Sequence, residues 1–405
     1  MRVVPAPVVA RYGFERAAFV FFLIGVGVGP AVGIANVALA LCLAATIAWR
    51  LGAWRAGGDF LGPFRKRSPL HGPIGAFVLL SVFSCFFSTL PSRSIWELKG
   101  FGTFLLLPFA VALLRDVEDV HLVLDAWRIT ALYMILRGVT EYLSGSDNLD
   151  ARLRGGMTTY MTYAGLLTLY SLALFSRGLS RAKGPASRAA DLLVAGFGMV
   201  AVALTLTRSA YLGLTVGVVT LLLASRPRLV FAVPIVAGLF FLAMPAAVKE
   251  RALSSFDPND ETMRDRLVMW RAATAMIADR PLFGVGPGRV KELYPVYRRP
   301  GFVDPRAGHL HDNVLMIAAE TGIASALVYL GFLYAFFRNA WRRCRRYVRA
   351  PHLSIARGSL AALAAVTAAG LFEYNFGDVE VLMATLVLAA LPFALPEEEM
   401  ASIPS

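Results

Sequence analysis

Hydrophobic positions along this chain arrive in blocks rather than in strict alternation. Apolar runs of roughly 16 to 25 residues, the length a helix needs to cross a bilayer core, fall near 15–30, 31–49, 72–90, 96–115, 119–143, 158–176, 189–207, 209–225, 228–247, 313–338, 357–374 and 378–396. The pattern predicts an all-α polytopic membrane protein with about 12 transmembrane helices. One long polar interruption separates the ninth-counted span from the tenth. The chain therefore divides into 1–247 (N-terminal spans), 248–312 (a helix-containing polar segment) and 313–405 (C-terminal spans).

Composition sharpens this picture. The 405 residues are 57% hydrophobic and 17% charged, with a formal net charge of +13. The basic residues cluster in short connections: 50–71, 177–188 and 338–357. With twelve spans all three lie on one side, which the positive-inside rule makes cytoplasmic together with both termini. Segment 248–312 then faces outward, toward the periplasm or cell exterior. No basic stripe interleaved with aromatics points to nucleic acid. Cys42, Cys85 and Cys344 show no CxxC spacing, so neither a disulfide framework nor a zinc site is expected. The first apolar block, followed at once by another, is expected to be a retained span rather than a cleaved signal.

Within the polar segment, Asp257 and Pro258 suit the N-cap and first position of a helix that ends near Asp279, before Arg280 and Pro281. Met263, Leu267, Trp270, Thr274 and Ile277 form its apolar stripe, and Arg266 lies nearer that stripe than Arg264 or Arg271. The next residues, PLFGVGPGRV, make a glycine-rich turn without the GK[ST] ending of a phosphate-binding loop. Then comes GHLHDNVLMIAAETGIAS, where His309 and His311 stand at the mouth of another helix. Counted from His311, Leu315, Ala318, Ala319 and Gly322 share one helical face. The positive end of a helix dipole disfavours a second positive charge, which suits a group that is to accept a proton. A single interfacial histidine is more often a cap or loop contact, so the case for chemistry needs the rest of the chain.

Charged residues within or beside apolar blocks are costly and mark functional candidates: Lys99, Arg128, Arg137, Glu141, Arg152, Arg154, Arg208, Glu373 and Asp378. Interfacial snorkelling or internal ion pairs are the simpler account of Arg128, Arg137 and Glu141. Arg208, in ALTLTRSAYLGL, has no acidic residue within ten positions, so its partner is distant in sequence or is a ligand. Arginine's planar fork matches phosphate oxygens bidentately and keeps its charge. Arg208 and Arg266 on the outer side would suit the pyrophosphate of a polyprenyl-linked sugar, with His311 as base toward an acceptor hydroxyl. Neither role needs a metal or cofactor, and no HExxH or DxD pair occurs in the segment, although His309 and His311 could offer two ligands to an ion.

Three motifs resemble the O-antigen ligase and polymerase superfamily of bacterial inner-membrane glycosyltransferases. They are His311, Asp312 and the ETG ending at Gly322; Arg266, Trp270 and PLFGVGPG; and the turn of Thr207 and Arg208. PSRSIWELKGF and RLRGGMTTYMTYAG extend the likeness. The resemblance implies a metal-independent, inverting transfer of a polysaccharide from undecaprenyl pyrophosphate to a sugar of the lipid A core, without a cofactor. Ligase is favoured; repeat-unit polymerase is the alternative, and a lipid-linked glycan transporter a more distant one. His311, Arg208 and Arg266 are the implied catalytic residues. His309, Arg152, Arg154, Lys99, Arg93, Trp270, Arg264 and Asp378 are the implied substrate contacts. Asp312 departs from the amide or hydroxyl the family prefers after its histidine. A carboxylate there could orient the ring and favour its protonated form, which leaves His309 as the fallback base.

Overall fold

The structure, a computed structural model, describes residues 17–28, 32–55, 66–144, 152–180, 183–254, 257, 260–298 and 308–395. Its regular elements among these residues are helices. The order is α1 Ala17–Val26, α2 Val32–Arg55, α3 His71–Phe86, α4 Pro91–Glu97, a 3₁₀ turn Leu98–Leu105, α5 Leu106–Leu113, α6 Val117–Ser144, α7 Tyr160–Leu179, α8 Pro185–Leu204 and α9 Arg208–Ser225. A second 3₁₀ turn, Pro227–Ala232, leads to α10 Val233–Ala243, α11 Ala246–Leu253, α12 Glu261–Asp279, α13 Val290–Tyr297, α14 Asn313–Arg346, α15 Ala350–Ala369 and α16 Val379–Ala394.

Five of these segments are long and apolar enough to cross a bilayer: Pro91–Leu113, α8, α9, α14 and α15. Shorter apolar helices accompany them, so the chain is a polytopic helical membrane protein. Two expected boundaries shift. The basic connection assigned to 338–357 is mostly helix, because α14 runs on to Arg346 and α15 begins at Ala350. Arg338 to Arg346 thus sit on the last turns of α14, where cations complement the exposed carbonyl end of a helix.

The bundle is centred on α7, which packs against α6, α8, α9, α15 and α16. Its residues from Tyr163 to Leu174 are buried almost without interruption, and α16 is buried on every face from Val381 to Leu395. A helix apolar all round belongs in such an interior. Helices α9 and α15 approach closely because Gly213 and Gly217, four residues apart, face the α15 backbone. A Cβ on Gly213 would lie 2.7 Å from the Ala365 carbonyl oxygen.

A smaller apolar cluster joins the polar segment to α14: Met269, Ala272, Ala273 and Met276 of α12, Val285, Val290, Tyr294, Leu310, Met316 and Ala319. The inward face of α12 is therefore rotated from the stripe expected. Leu267 is 44% exposed and Thr274 is exposed, while Arg266 is only 7% exposed. The N-cap of α12 is Asp260, not Asp257; its side chain accepts from the Met263 N–H at 3.0 Å.

Helix α14 is broken at Gly322 (φ 90, ψ 167), which interrupts its hydrogen-bond ladder. The glycine turn 281–288 fills the gap. Val285 N–H donates to the Ala319 carbonyl at 2.8 Å, Gly286 N–H to Glu320 at 2.9 Å, and Ile323 N–H to Pro281 at 2.9 Å. Glu320 Oε1 accepts from Gly288 N–H at 2.9 Å, and Ser84 Oγ reaches the Phe283 carbonyl at 2.6 Å. A Cβ at Gly322 would come 2.0 Å from the Leu282 carbonyl oxygen, so only glycine fits both the space and the positive φ. The PLFGVGPG and ETG motifs are thus two halves of one joint. Broken helices persist in membranes only where the freed backbone groups find partners inside protein, as here.

Candidate active site

His311 does not belong to α14. Asp312 caps that helix, accepting from Leu315 N–H at 2.7 Å, and His311 stands before it in the left-handed region at φ 50. The helical face counted from His311 therefore starts one residue too early. Any polar N-cap serves this position, so Asp312 replaces the family's amide or hydroxyl at little cost. Its carboxylate is occupied by the helix. Another carboxylate faces the imidazole: Glu373 Oε2 lies 3.2 Å from His311 Nδ1. His309 packs edge-on against His311, with ring centroids 4.1 Å apart, and its Nε2 is 3.9 Å from Glu373 Oε1.

Glu373 is held by a loop that α14 itself anchors. Asn313 N–H donates to the Gly370 carbonyl at 2.8 Å, and Asn313 Oδ1 accepts from Phe376 N–H at 3.1 Å. Phe372 and Tyr374, on either side of Glu373, face Trp270 and His309 with centroid separations of 6.0 Å each. Burial raises the Glu373 carboxyl, but the hydrogen bond and charge of His311, then His309 and Arg266, outweigh it and hold the group below the usual carboxylate range. Burial lowers His309, and the His311 and Arg266 charges lower it further against the opposing pull of Glu373. His309 is therefore a neutral ring near pH 7.

The second half of the site is basic. Arg208 opens α9 after a turn in which Leu206 also takes a left-handed backbone, φ 54. Leu206 and His311 are the two non-glycine residues with positive φ among the described residues. Such conformations cost of order 1–3 kcal/mol and concentrate at functional sites. Arg208 Nη2 binds Asp260 Oδ1 at 2.7 Å, and Nη1 donates to the Ser254 carbonyl at 3.2 Å. The partner expected to be distant in sequence is thus the cap of α12. Burial raises the Asp260 carboxyl, but its hydrogen bonds to Arg208 and Met263 and the Arg208 and Arg251 charges hold it low.

Arg266 is buried with no hydrogen-bond partner for its Nε. Burial depresses its pKa; Glu373 and Asp260 act against this, while Arg208 and Arg251 add to it. It therefore bridges the two halves electrostatically. Thr207 and Ser209, on either side of Arg208, line a small cavity together with Glu373 and Asn375. Arg152 lies over the Tyr160 ring at 4.5 Å, and its charge acts on Arg251.

Several of the unpartnered buried nitrogens lie here: Nε of Arg152 and Arg266, Nε1 of Trp270 and Nδ1 of His309. Buried polar atoms nearly always have partners, and an orphaned group calls for a ligand or water. Other expected contacts are placed elsewhere. Asp378 caps α16 at Val381 N–H, 3.2 Å, and takes the Thr162 hydroxyl at 2.5 Å. Arg264 is exposed. Arg93 pairs with Glu292 at 3.3 Å, and Lys99 lies 5.1 Å over the Trp96 ring; no described contact ties either to the cluster.

Residues 192–330 match the family model described as O-Antigen ligase, a span that includes Arg208, Arg266, His309 and His311. Over that part of the chain the match supports the resemblance to the O-antigen ligase and polymerase superfamily. Members are glycosyltransferase-like membrane enzymes acting on lipid-linked glycans. No curated protein matches the chain. The superfamily match ends within α14, before Glu373, which the sequence marked only as one edge charge among several.

Two further residues escaped the sequence. Glu373 became a partner of His311 only through folding across 62 positions. Arg251 sits in an ordinary-looking AAVKERAL helix, where nothing but proximity in space distinguishes it from a surface cation. The ligand atoms of His309, His311 and Glu373 all lie within 4.8 Å of one another, a donor set that would also suit a divalent ion.

Proposed function

We propose that the protein is an O-antigen ligase that transfers a polysaccharide from undecaprenyl pyrophosphate to a sugar hydroxyl of the lipid A core on the periplasmic face of the bacterial inner membrane. The observation that carries this reading is that Glu373, the partner of His311, also feels the Arg266 charge, while Arg266 in turn feels Arg208. Glu373 accepts from His311 Nδ1–H, which fixes the tautomer and leaves Nε2 as the acceptor. That nitrogen takes the proton of the acceptor hydroxyl as its oxygen attacks the anomeric carbon of the donor sugar. The bond from that carbon to the phosphate oxygen breaks, and undecaprenyl diphosphate departs with the electron pair. A single displacement of this kind inverts the anomeric centre.

The arginines stabilise the charge that grows on the leaving diphosphate, a contribution usually worth about 10²- to 10³-fold per donor lost. The base contributes about 10²- to 10⁴-fold. Purified protein given a lipid-linked glycan and a lipid A core acceptor should form product in EDTA, and His311→Ala should bind donor without turning it over. Turnover by that variant would remove His311 as base; loss of wild-type product in EDTA would favour an ion held by His309, His311 and Glu373. A polymerase would extend the lipid-linked glycan itself and ignore the core acceptor. A carrier would instead move lipid-linked glycan across liposomes, which the ligase should not do.

A further inference from the structure

The turn that presents Arg208 is clasped from both sides. Arg251 Nε donates to the carbonyl of strained Leu206 at 3.3 Å, while Arg208 donates back to the Ser254 carbonyl at the end of the Arg251 helix. The rest of the Arg251 guanidinium has no hydrogen bond or ion pair to the described residues. It lies half-buried beside two like charges, Arg208 and Arg152, and burial followed by those charges lowers its pKa while Asp260 opposes them.

Four guanidiniums, Arg152, Arg208, Arg251 and Arg266, share this space with two carboxylates, Asp260 and Glu373. Both carboxylates already have partners: Asp260 binds Arg208, and Glu373 binds His311. The surplus is two positive charges. A diphosphate esterified at both ends carries two negative charges, and its oxygens are the acceptors that unpaired guanidinium N–H groups lack.

We propose that Arg251 is a third diphosphate-binding arginine, whose Nε fixes the Leu206 turn while its terminal nitrogens contact the phosphate of the donor lipid. This rests on the diphosphate reading above. It separates two tasks on one side chain, positioning Arg208 through the backbone and neutralising the ligand directly. The chemistry recognised is a lipid diphosphate; free pyrophosphate shares the anion without the tail.

The test is binding of undecaprenyl diphosphate, and separately of inorganic pyrophosphate, to the full chain in nanodiscs. Arg251→Gln should weaken the lipid diphosphate at least tenfold, and Arg251→Lys, which keeps the charge, by less. Inorganic pyrophosphate should compete in the wild type and lose that ability in Arg251→Gln. Leu206→Gly removes the need for the backbone clasp, because glycine tolerates that φ. Arg251→Gln in the Leu206→Gly background should still lose affinity. If the double variant binds like Leu206→Gly alone, Arg251 is only a clasp and the proposal falls. If wild-type protein binds no undecaprenyl diphosphate, the parent reading fails first and this one with it.

Discussion

Helix α7 has a cluster of arginines and carboxylates at each end, roughly 25 Å apart by helical rise, and the two clusters are finished differently. At its C-terminal end Arg177 is fully buried and saturated. Its Nε and Nη2 bind Asp191 at 2.7 Å each, Nη1 donates to the His121 carbonyl, and Nη2 also reaches Asp125 at 2.9 Å. Arg128 completes the set through Asp191 and Ser187. At the N-terminal end, beside Tyr160 and Thr162, Arg266 is nearly as buried but has an orphaned Nε, and the terminal nitrogens of Arg251 have no partner among the described residues. Burying charge is costly unless every donor and acceptor is matched. At one end of the helix each charged side chain has an opposite charge within the protein; at the other that balance is left to something that binds.

The comparison breaks most sharply under substitution. Arg177→Met strands Asp191 in a dry interior and should cost about 3–5 kcal/mol in unfolding free energy. Arg266→Met removes a desolvated cation without an ion-pair partner among the described residues. It should change stability by less than about 1 kcal/mol, or raise it, while turnover falls on the order of 10²-fold or more. Thermal unfolding in detergent read beside product formation separates the two outcomes. A large loss of stability in Arg266→Met, with activity retained in the folded fraction, would make the two ends alike.

A smaller effect is expected from pH. The folded Glu373 carboxyl sits below its ordinary 4.5, so its ionised form contributes stability that is fully present above that value and lost as pH falls through the lower folded value. The melting-temperature gap between wild type and Glu373→Gln should be present at about pH 5 and close as pH falls below about 4.5. A gap unchanged in acid would mean that Glu373 stabilises by shape rather than charge. The smallest change is Asp312→Asn, which keeps the helix cap and should alter stability by no more than about 0.5 kcal/mol. Turnover should change little, since His311 takes its orientation from Glu373. A loss of turnover larger than tenfold would transfer that role back to Asp312.

Much of this architecture was legible from hydropathy, because apolar blocks of spanning length have few other uses. The internal pairing of Arg128, Arg137 and Glu141 was also legible: Arg128 meets Asp125 at 3.4 Å, and Arg137 meets Glu141 at 2.9 Å. These are neighbours along a helix, and spacing alone predicts them. Arg208 stood out because no acidic residue lies near it in sequence, and Arg266 because it lies nearest the apolar stripe of its helix. Arg251 and Glu373 did not, since their significance lies in partners 45 and 62 positions away. The rotation of α12 was hidden for a related reason. Its buried face is set by contact with α14 and the glycine turn, and a buried arginine is counted as polar by any hydropathy rule. The cap at Asp260 was passed over because Asp-Pro at 257 is the stronger local signal, while Arg208 supplies Asp260 with a partner that no local rule contains.

The break at Gly322 sets a constraint on engineering and on drift alike. Each side of that joint supplies the backbone donors or acceptors the other lacks, so residues 281–288 and 319–323 can be exchanged between relatives only as a matched set. A chimera cut between them would leave bare carbonyls inside the membrane protein, whereas cut points before Pro281 and after Ile323 would carry the joint over whole.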